Sequence, residues 1–271
     1  MRSKISLILI IYLIIFPASI CAVNFQDINN LEYEISAEYI HDSEAFTQGL
    51  EIYNNYLYEG TGLYGRSSLR KIDIESGKVL KKINLDKKYF GEGITILNNK
   101  IYQLTWKAHT AFVYDLNFNL INKFKYDGEG WGLTNDGQYL IMSNGSQFIF
   151  FRDPKTFEII KKIKVNINDN IVQDINELEY LDGFIYANIW QKDYIIKIDA
   201  ENGSIKAYLD FSNLLDQKHE DQADVLNGIA YDNKNKSFLI TGKLWPKIYR
   251  VTIKKWFKLK EEILFSFNWF K

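Results

Sequence analysis

The chain has 271 residues, 46% hydrophobic and 15% aromatic, which is ample for a core in one domain or two. Lysine and arginine (33) nearly balance aspartate and glutamate (34), and the net charge of -1 is spread along the chain, which argues against nucleic acid as a partner. The single cysteine, Cys21, excludes an intramolecular disulfide.

Residues 1–22, MRSKISLILIIYLIIFPASICA, run from a charged start through an apolar stretch of about twelve residues to Pro, Ala and Ser. That order predicts an export signal, the run being short for a membrane span. An uncleaved anchor is the alternative, because Ile20 fits the small-residue cleavage rule poorly. PASIC also loosely resembles a lipobox, which would make Cys21 a lipid acceptor. The expectation is a periplasmic or secreted protein whose only membrane contact is this segment or a lipid anchor, with one domain over residues 23–271.

From residue 32 onward the chain is short runs of Ile, Tyr, Phe, Leu and Val, punctuated by Asn, Asp and Gly, without a long helical period. The fold class is all-β. Similar hairpin turns recur at Asp73, Asp115, Asp153 and Asp199, separated by 42, 38 and 46 residues (73 to 115, 115 to 153, 153 to 199). A period in this range predicts β-propeller blades, each a four-stranded antiparallel sheet. The units open on FTQGLEI, FGEGITI, GWGLTND, NELEYLD and VLNGIAY, hence five blades. The fifth unit is one strand short, and YEISAEYI (Tyr33 to Ile40) is a strand without a blade. Lending that strand to the last blade would close the ring and remove an edge.

In such a blade the start of the first strand and the end of the second share a rim. Glu92 to Trp106 and Asn176 to Trp190 are both offsets of 14, the same two places on different blades. Gln48, Glu92, Trp131 and Asn176 thus begin inner strands, Trp106, Trp190 and Lys243 end second strands, and all seven should ring one mouth of the channel. The glycines beside Glu92 and Gln48 are expected to let a ligand reach those side chains. A single tryptophan could be interblade packing, Asn176 a turn cap and Lys243 a solvated charge. Glu92 differs, since a carboxylate in a narrow channel is costly unless paired or used. Burial would raise its pKa and a nearby ammonium would lower it; the sequence leaves the balance open.

Other motifs carry less. Gly60, Gly62 and Gly65 satisfy GxGxxG, but SSLRKIDI follows as a strand where a dinucleotide needs a helix. His41, His109 and His219 have no metal-site spacing. The acidic loop from Asp216 to Asp224 could hold calcium, but it reads first as a solvated connection.

As a set, AFTQGL, YEGTGLYGRSSLR, FGEGIT, LTWK, GWGLTNDG, NELEY, ANIW, VLNGIAYD and TGKLWP resemble the plant-type and bacterial glutaminyl cyclases, from about Tyr39 to Val251. The resemblance implies a five-bladed propeller that converts the N-terminal glutamine of peptides or proteins into pyroglutamate, releasing ammonia. It places the acid/base glutamate on Glu92, active-site aromatics on Phe46, Phe90, Trp106, Trp131 and Trp190, and polar partners on Gln48, Asn176 and Lys243. It implies no cofactor for catalysis and allows a structural calcium ion. Two other readings stay open: an exported propeller that binds peptide N-termini or small ligands without turnover, and a calcium-dependent propeller hydrolase.

Overall fold

The computed structural model describes residues 28–168, 170–216 and 221–254, so the leader, His219 and the tail beyond Lys254 lie outside the described residues. Every regular element among the described residues is a strand. Blade 1 comprises Thr47–Tyr53, Tyr56–Thr61, Ser68–Ile72 and Val79–Asn84; blade 2, Gly91–Leu97, Lys100–Thr105, Thr110–Asp115 and Leu120–Lys125. Blade 3 comprises Leu133–Asn135, Leu140–Met142, Phe148–Arg152 and Ile159–Lys164, and blade 4, Ile175–Leu181, Phe184–Ile189, Tyr194–Asp199 and Ile205–Asp210, with Asn29–Asn30 added in parallel at its outer edge.

Blade 5 closes the ring as the strand count predicts. Leu226–Asp232, Ser237–Gly242 and Lys247–Ile253 come from the C-terminal part, and Tyr33–Ile40 pairs antiparallel with Lys247–Ile253 as the outermost strand. Asp73, Asp115, Asp153 and Asp199 sit where the third strand turns into the fourth in blades 1 to 4, each carboxylate accepting backbone N–H groups two to four residues on. Blade 5 takes its fourth strand from the other end of the chain, so it has no such turn.

Each interface between blades has its own apolar cluster. Leu69 and Tyr58 pack against Ile94 and Ile101 between blades 1 and 2, and Leu50 and Leu57 against Ala230 and Leu239 between blades 1 and 5. The outermost strands turn lysines to solvent, as in KKIK of blade 3, which discourages pairing of edges.

A buried ion pair lies at the closure, and its histidine also bonds the C-terminal part of blade 5. His41 follows the N-terminal strand; its Nε2 meets Glu59 Oε1 at 3.0 Å and its Nδ1 donates to the Trp245 carbonyl at 2.7 Å. Arg70 lies 3.6 Å from the other Glu59 oxygen, and Thr47 Oγ1 donates to Oε1. Burial opposes the imidazolium charge, yet Glu59 outweighs it and holds the His41 pKa above its ordinary 6.5. The contribution of this charge to stability is therefore full below about pH 6.5 and fades as pH rises through the folded-state value. His41→Leu should cost about 3 kcal/mol in urea denaturation at pH 6, the scale of breaking a buried pair, with a smaller deficit at pH 9.

Candidate active site

The first strands of four blades pair normally at the rim and then slip. Register breaks fall between Thr47 and Gly49, Gly91 and Ile94, Ile175 and Leu178, and Leu226 and Ile229. Gln48, Glu92, Asn176 and Asn227 sit in these bulges. A bulge breaks the two-residue alternation and re-aims a side chain, and here it turns the rim residue toward the axis. In blade 3 the corresponding Trp131 precedes the first strand and is tied to Ser143 by a backbone bond.

The result is one cavity of about 490 Å³, lined by Phe46, Gln48, Phe90, Glu92, Trp106, Trp131, Asn176, Trp190 and Lys243, together with Leu63, Gln191, Asp224 and Val225. All nine residues singled out in the sequence meet there. Gln48, Glu92, Asn176 and Lys243 are each at most 5% exposed and form its polar floor. The walls are aromatic. Phe90 meets Trp106 edge-on at 5.6 Å and Phe46 at 6.1 Å, while Trp131 meets Trp190 at 5.9 Å and 84°. Trp190 remains 41% exposed at the mouth, so it offers a ligand an open indole face.

The glycines serve a different purpose from the one expected. A Cβ on Gly93 would stand 2.5 Å from Leu133 N of blade 3, and one on Gly49 would stand 2.5 Å from Ile94 N of blade 2. They permit neighbouring inner strands to touch; they do not open a path for a ligand. Gly62 in turn makes room for the Phe90 ring, which accounts for part of the GTGLYG pattern, and the strand Ser68–Ile72 follows it.

Sequence reasoning missed Glu129. Its Oε2 accepts both indole N–H groups of the facing walls, from Trp106 at 2.6 Å and from Trp131 at 3.0 Å. Lys107 lies 3.7 Å from Oε1 and 3.9 Å above the Trp106 ring. One carboxylate thereby ties the two indole rings together through their N–H groups. Glu129 lies in the loop before Trp131, outside the repeated positions, so periodicity carries no trace of it.

Burial dominates the electrostatics of the floor. It pushes the Glu92 pKa well above the usual 4.5; Lys243 opposes this, the Glu129 charge adds to it, and a hydrogen bond from Gln48 opposes it. Burial likewise pushes the Lys243 ammonium down, against the pull of Glu92 and Asp224. The Lys243 Nζ also lies 4.9 Å above the Phe46 ring. Among the described residues no three His, Cys, Asp or Glu side chains converge as a metal cluster, so no ligands are assigned to the calcium ion that the resemblance allows.

Residues 7–253 match the glutamine cyclotransferase family. The chain belongs to that family. It is 42% identical over 232 residues to an Arabidopsis thaliana protein named glutaminyl-peptide cyclotransferase, covering 83% of this chain and 72% of that one. It also superposes on the crystal structure of Myxococcus xanthus glutaminyl cyclase with a TM-score of 0.78 and 31% identity, covering 84% of this chain and all of the other.

A buried acid with a raised pKa favours folding only while it is neutral. The folded value lies above the unfolded one, so stability is full below about pH 4.5 and declines as pH rises toward the folded value. In this family member Glu92→Gln should raise the melting temperature at pH 7 and above while leaving it unchanged at pH 4, as measured by thermal denaturation across pH.

Proposed function

We propose that the protein is a glutaminyl-peptide cyclotransferase in which Glu92 moves the protons. The observation that carries this reading is a 4%-exposed carboxylate, set beside an amide and an ammonium, on the floor of a cavity walled by three indoles and two phenyl rings. Nucleophile and electrophile belong to the same glutamine, so the site has to fold one flexible side chain into attack geometry. Flat rings with fixed orientations suit that task.

An α-amine has a pKa of about 7.7–8.0 and is largely protonated at neutral pH. The amine first loses its ammonium proton to solvent; its nitrogen then attacks the side-chain carboxamide carbon to form the ring C–N bond, and Glu92 accepts the proton that this nitrogen sheds. The carbonyl electrons move onto oxygen, where Asn176 and Lys243 can donate to the oxyanion. Glu92 then returns its proton to the carboxamide nitrogen, that C–N bond breaks as the carbonyl re-forms, and ammonia leaves. The raised pKa of Glu92 suits both halves, because a base and acid used in turn works best near the pH of the reaction.

The N-terminal segment fits the same reading. An apolar run followed by small residues would export the chain, so that the enzyme meets its substrates after secretion.

Ammonia release from a glutaminyl dipeptide, with loss of the corresponding mass, tests the activity. Binding without release would leave a binding module instead. Glu92→Gln should lower kcat by about 10² to 10⁴. The acid limb of kcat/KM should lie above the ordinary carboxylate value of 4.5. Lys243→Met removes the charge that favours the carboxylate and should move that limb to higher pH, whereas Glu129→Gln removes a repelling charge and should move it lower.

A further inference from the structure

Four of the five rim positions are occupied by residues that line the cavity; the fifth, Asn227 in VLNG of blade 5, does not line it. Asn227 is completely buried. Its Nδ2 donates to the Thr47 carbonyl at 2.9 Å and to Gln48 Oε1 at 3.2 Å, while its Oδ1 has no hydrogen-bond partner among the described residues. The contribution of this side chain therefore lies in its two N–H groups.

Those groups set an order of orientations. Thr47 O is a backbone carbonyl and can only accept, so it requires the amino side of the Asn227 amide. The second N–H of that amino group then requires the oxygen of Gln48. An amide carries its donors opposite its oxygen, so Gln48 must turn its own N–H groups away from Asn227; Gln48 and Glu92 line the same cavity, and as a hydrogen-bond donor Gln48 lowers the proton affinity of Glu92. A reversed Gln48 would set its carbonyl against Glu92 and repel the ionised acid.

We propose that Asn227 is a positioning residue for the proton-transfer step: it fixes the orientation of Gln48 and so keeps a donor on Glu92. This rests on the cyclotransferase reading for its catalytic consequence. The other groups that act on Glu92 are Lys243 from the end of a blade 5 strand and Glu129 from the loop before Trp131, while Tyr126 at the end of blade 2 feels the Glu92 charge. None of them hydrogen-bonds Asn227, so its removal should reach Glu92 through Gln48.

The test uses Asn227→Leu and Asn227→Asp, each alone and in a Gln48→Leu background. Ammonia release from a glutaminyl dipeptide is followed across pH, and Glu92 protonation is followed by its carboxyl infrared band, assigned by its loss in Glu92→Gln. Asn227→Leu should lower kcat/KM about tenfold, the scale of one hydrogen bond to an ionised group, and should move the acid limb and the infrared midpoint to higher pH together. In the Gln48→Leu background it should add nothing. Asn227→Asp keeps the volume if the leucine variant does not fold; it should act in the same direction, and the shift it retains in the Gln48→Leu background measures its charge alone. Equal losses in both backgrounds, or an unmoved midpoint, would overturn the assignment. The infrared titration needs no turnover, so a wild type that releases no ammonia refutes the activity while the midpoint shift still decides the role of Asn227.

Discussion

Five sheets that meet around one axis leave little room at their inner edges, and the rest of the molecule follows from that crowding. Immediately after the rim residue, blades 1, 2, 3 and 5 carry Gly49, Gly93, Gly132 and Gly228, and a Cβ at any of them would collide with a neighbouring blade or the glycine's own sheet. Gly228 adds a φ of +131°, which L side chains rarely adopt. Blade 4 has Glu177 at the same place. Its carboxylate reaches across the axis, accepting N–H groups from Leu50 of blade 1 and Ile229 of blade 5, and it is fully buried. Backbone of neighbouring blades and the Glu177 side chain thus crowd the axis just below the rim. Glu92 and Lys243 lie at the rim against this crowded axis, at 4% and 5% exposure, which is the source of the strong burial they feel.

The sequence disclosed what repeats and hid what does not. The hairpin aspartates recur at nearly constant spacing because each blade must reverse at the same depth, and so the blade count and the closing strand could be read directly. Seven cavity residues followed from their common place in the blade; Phe46 and Phe90 came from family resemblance alone. Leu63, Glu129, Gln191, Asp224 and Val225 belong to connections whose lengths differ from blade to blade, and no period points to them. Asn227 was within reach, since VLNGIAY stands beside the other four openings, yet it does not face the cavity and only its bond to Gln48 reveals a use. The purpose of the glycines was misread for a related reason. Spacing along the chain states where a side chain is missing, whereas the backbone filling that space belongs to another blade.

The walls and the floor of the cup use their polar groups differently. The indole N–H groups of Trp106 and Trp131 are turned away from the ligand space to meet Glu129, which leaves ring faces and edges for a substrate. A wall so arranged can hold an alkyl chain folded without competing for its amide. The donors remain on the floor, where Gln48, Asn176 and Lys243 share the cavity with Glu92. In the proposed reaction the floor supplies chemical selectivity and the walls conformational control, and the same carboxylate that binds the indole N–H groups also raises the proton affinity of Glu92.

Glu92 is not the only acid near the axis whose proton affinity burial raises: Glu177 is fully buried and Glu51 and Glu179 are partly so, and the contrast sets Glu92 apart. Burial also lifts Glu177 and Glu179 well above the carboxylate range and Glu51 to about 8. Glu177 and Glu179 are answered mainly by backbone N–H groups, of Leu50, Ile229 and Tyr231, which cannot leave without unpairing the sheets. Glu51 accepts from Thr95, itself bonded by Asn135 of the next blade. These acids are fixed by the architecture they join. Glu92 alone is answered by side chains that share its cavity, a glutamine and a lysine, so its environment can change when a ligand arrives without disturbing a single strand pairing. The proposed role, in which Glu92 takes up a proton and then returns it, requires that freedom.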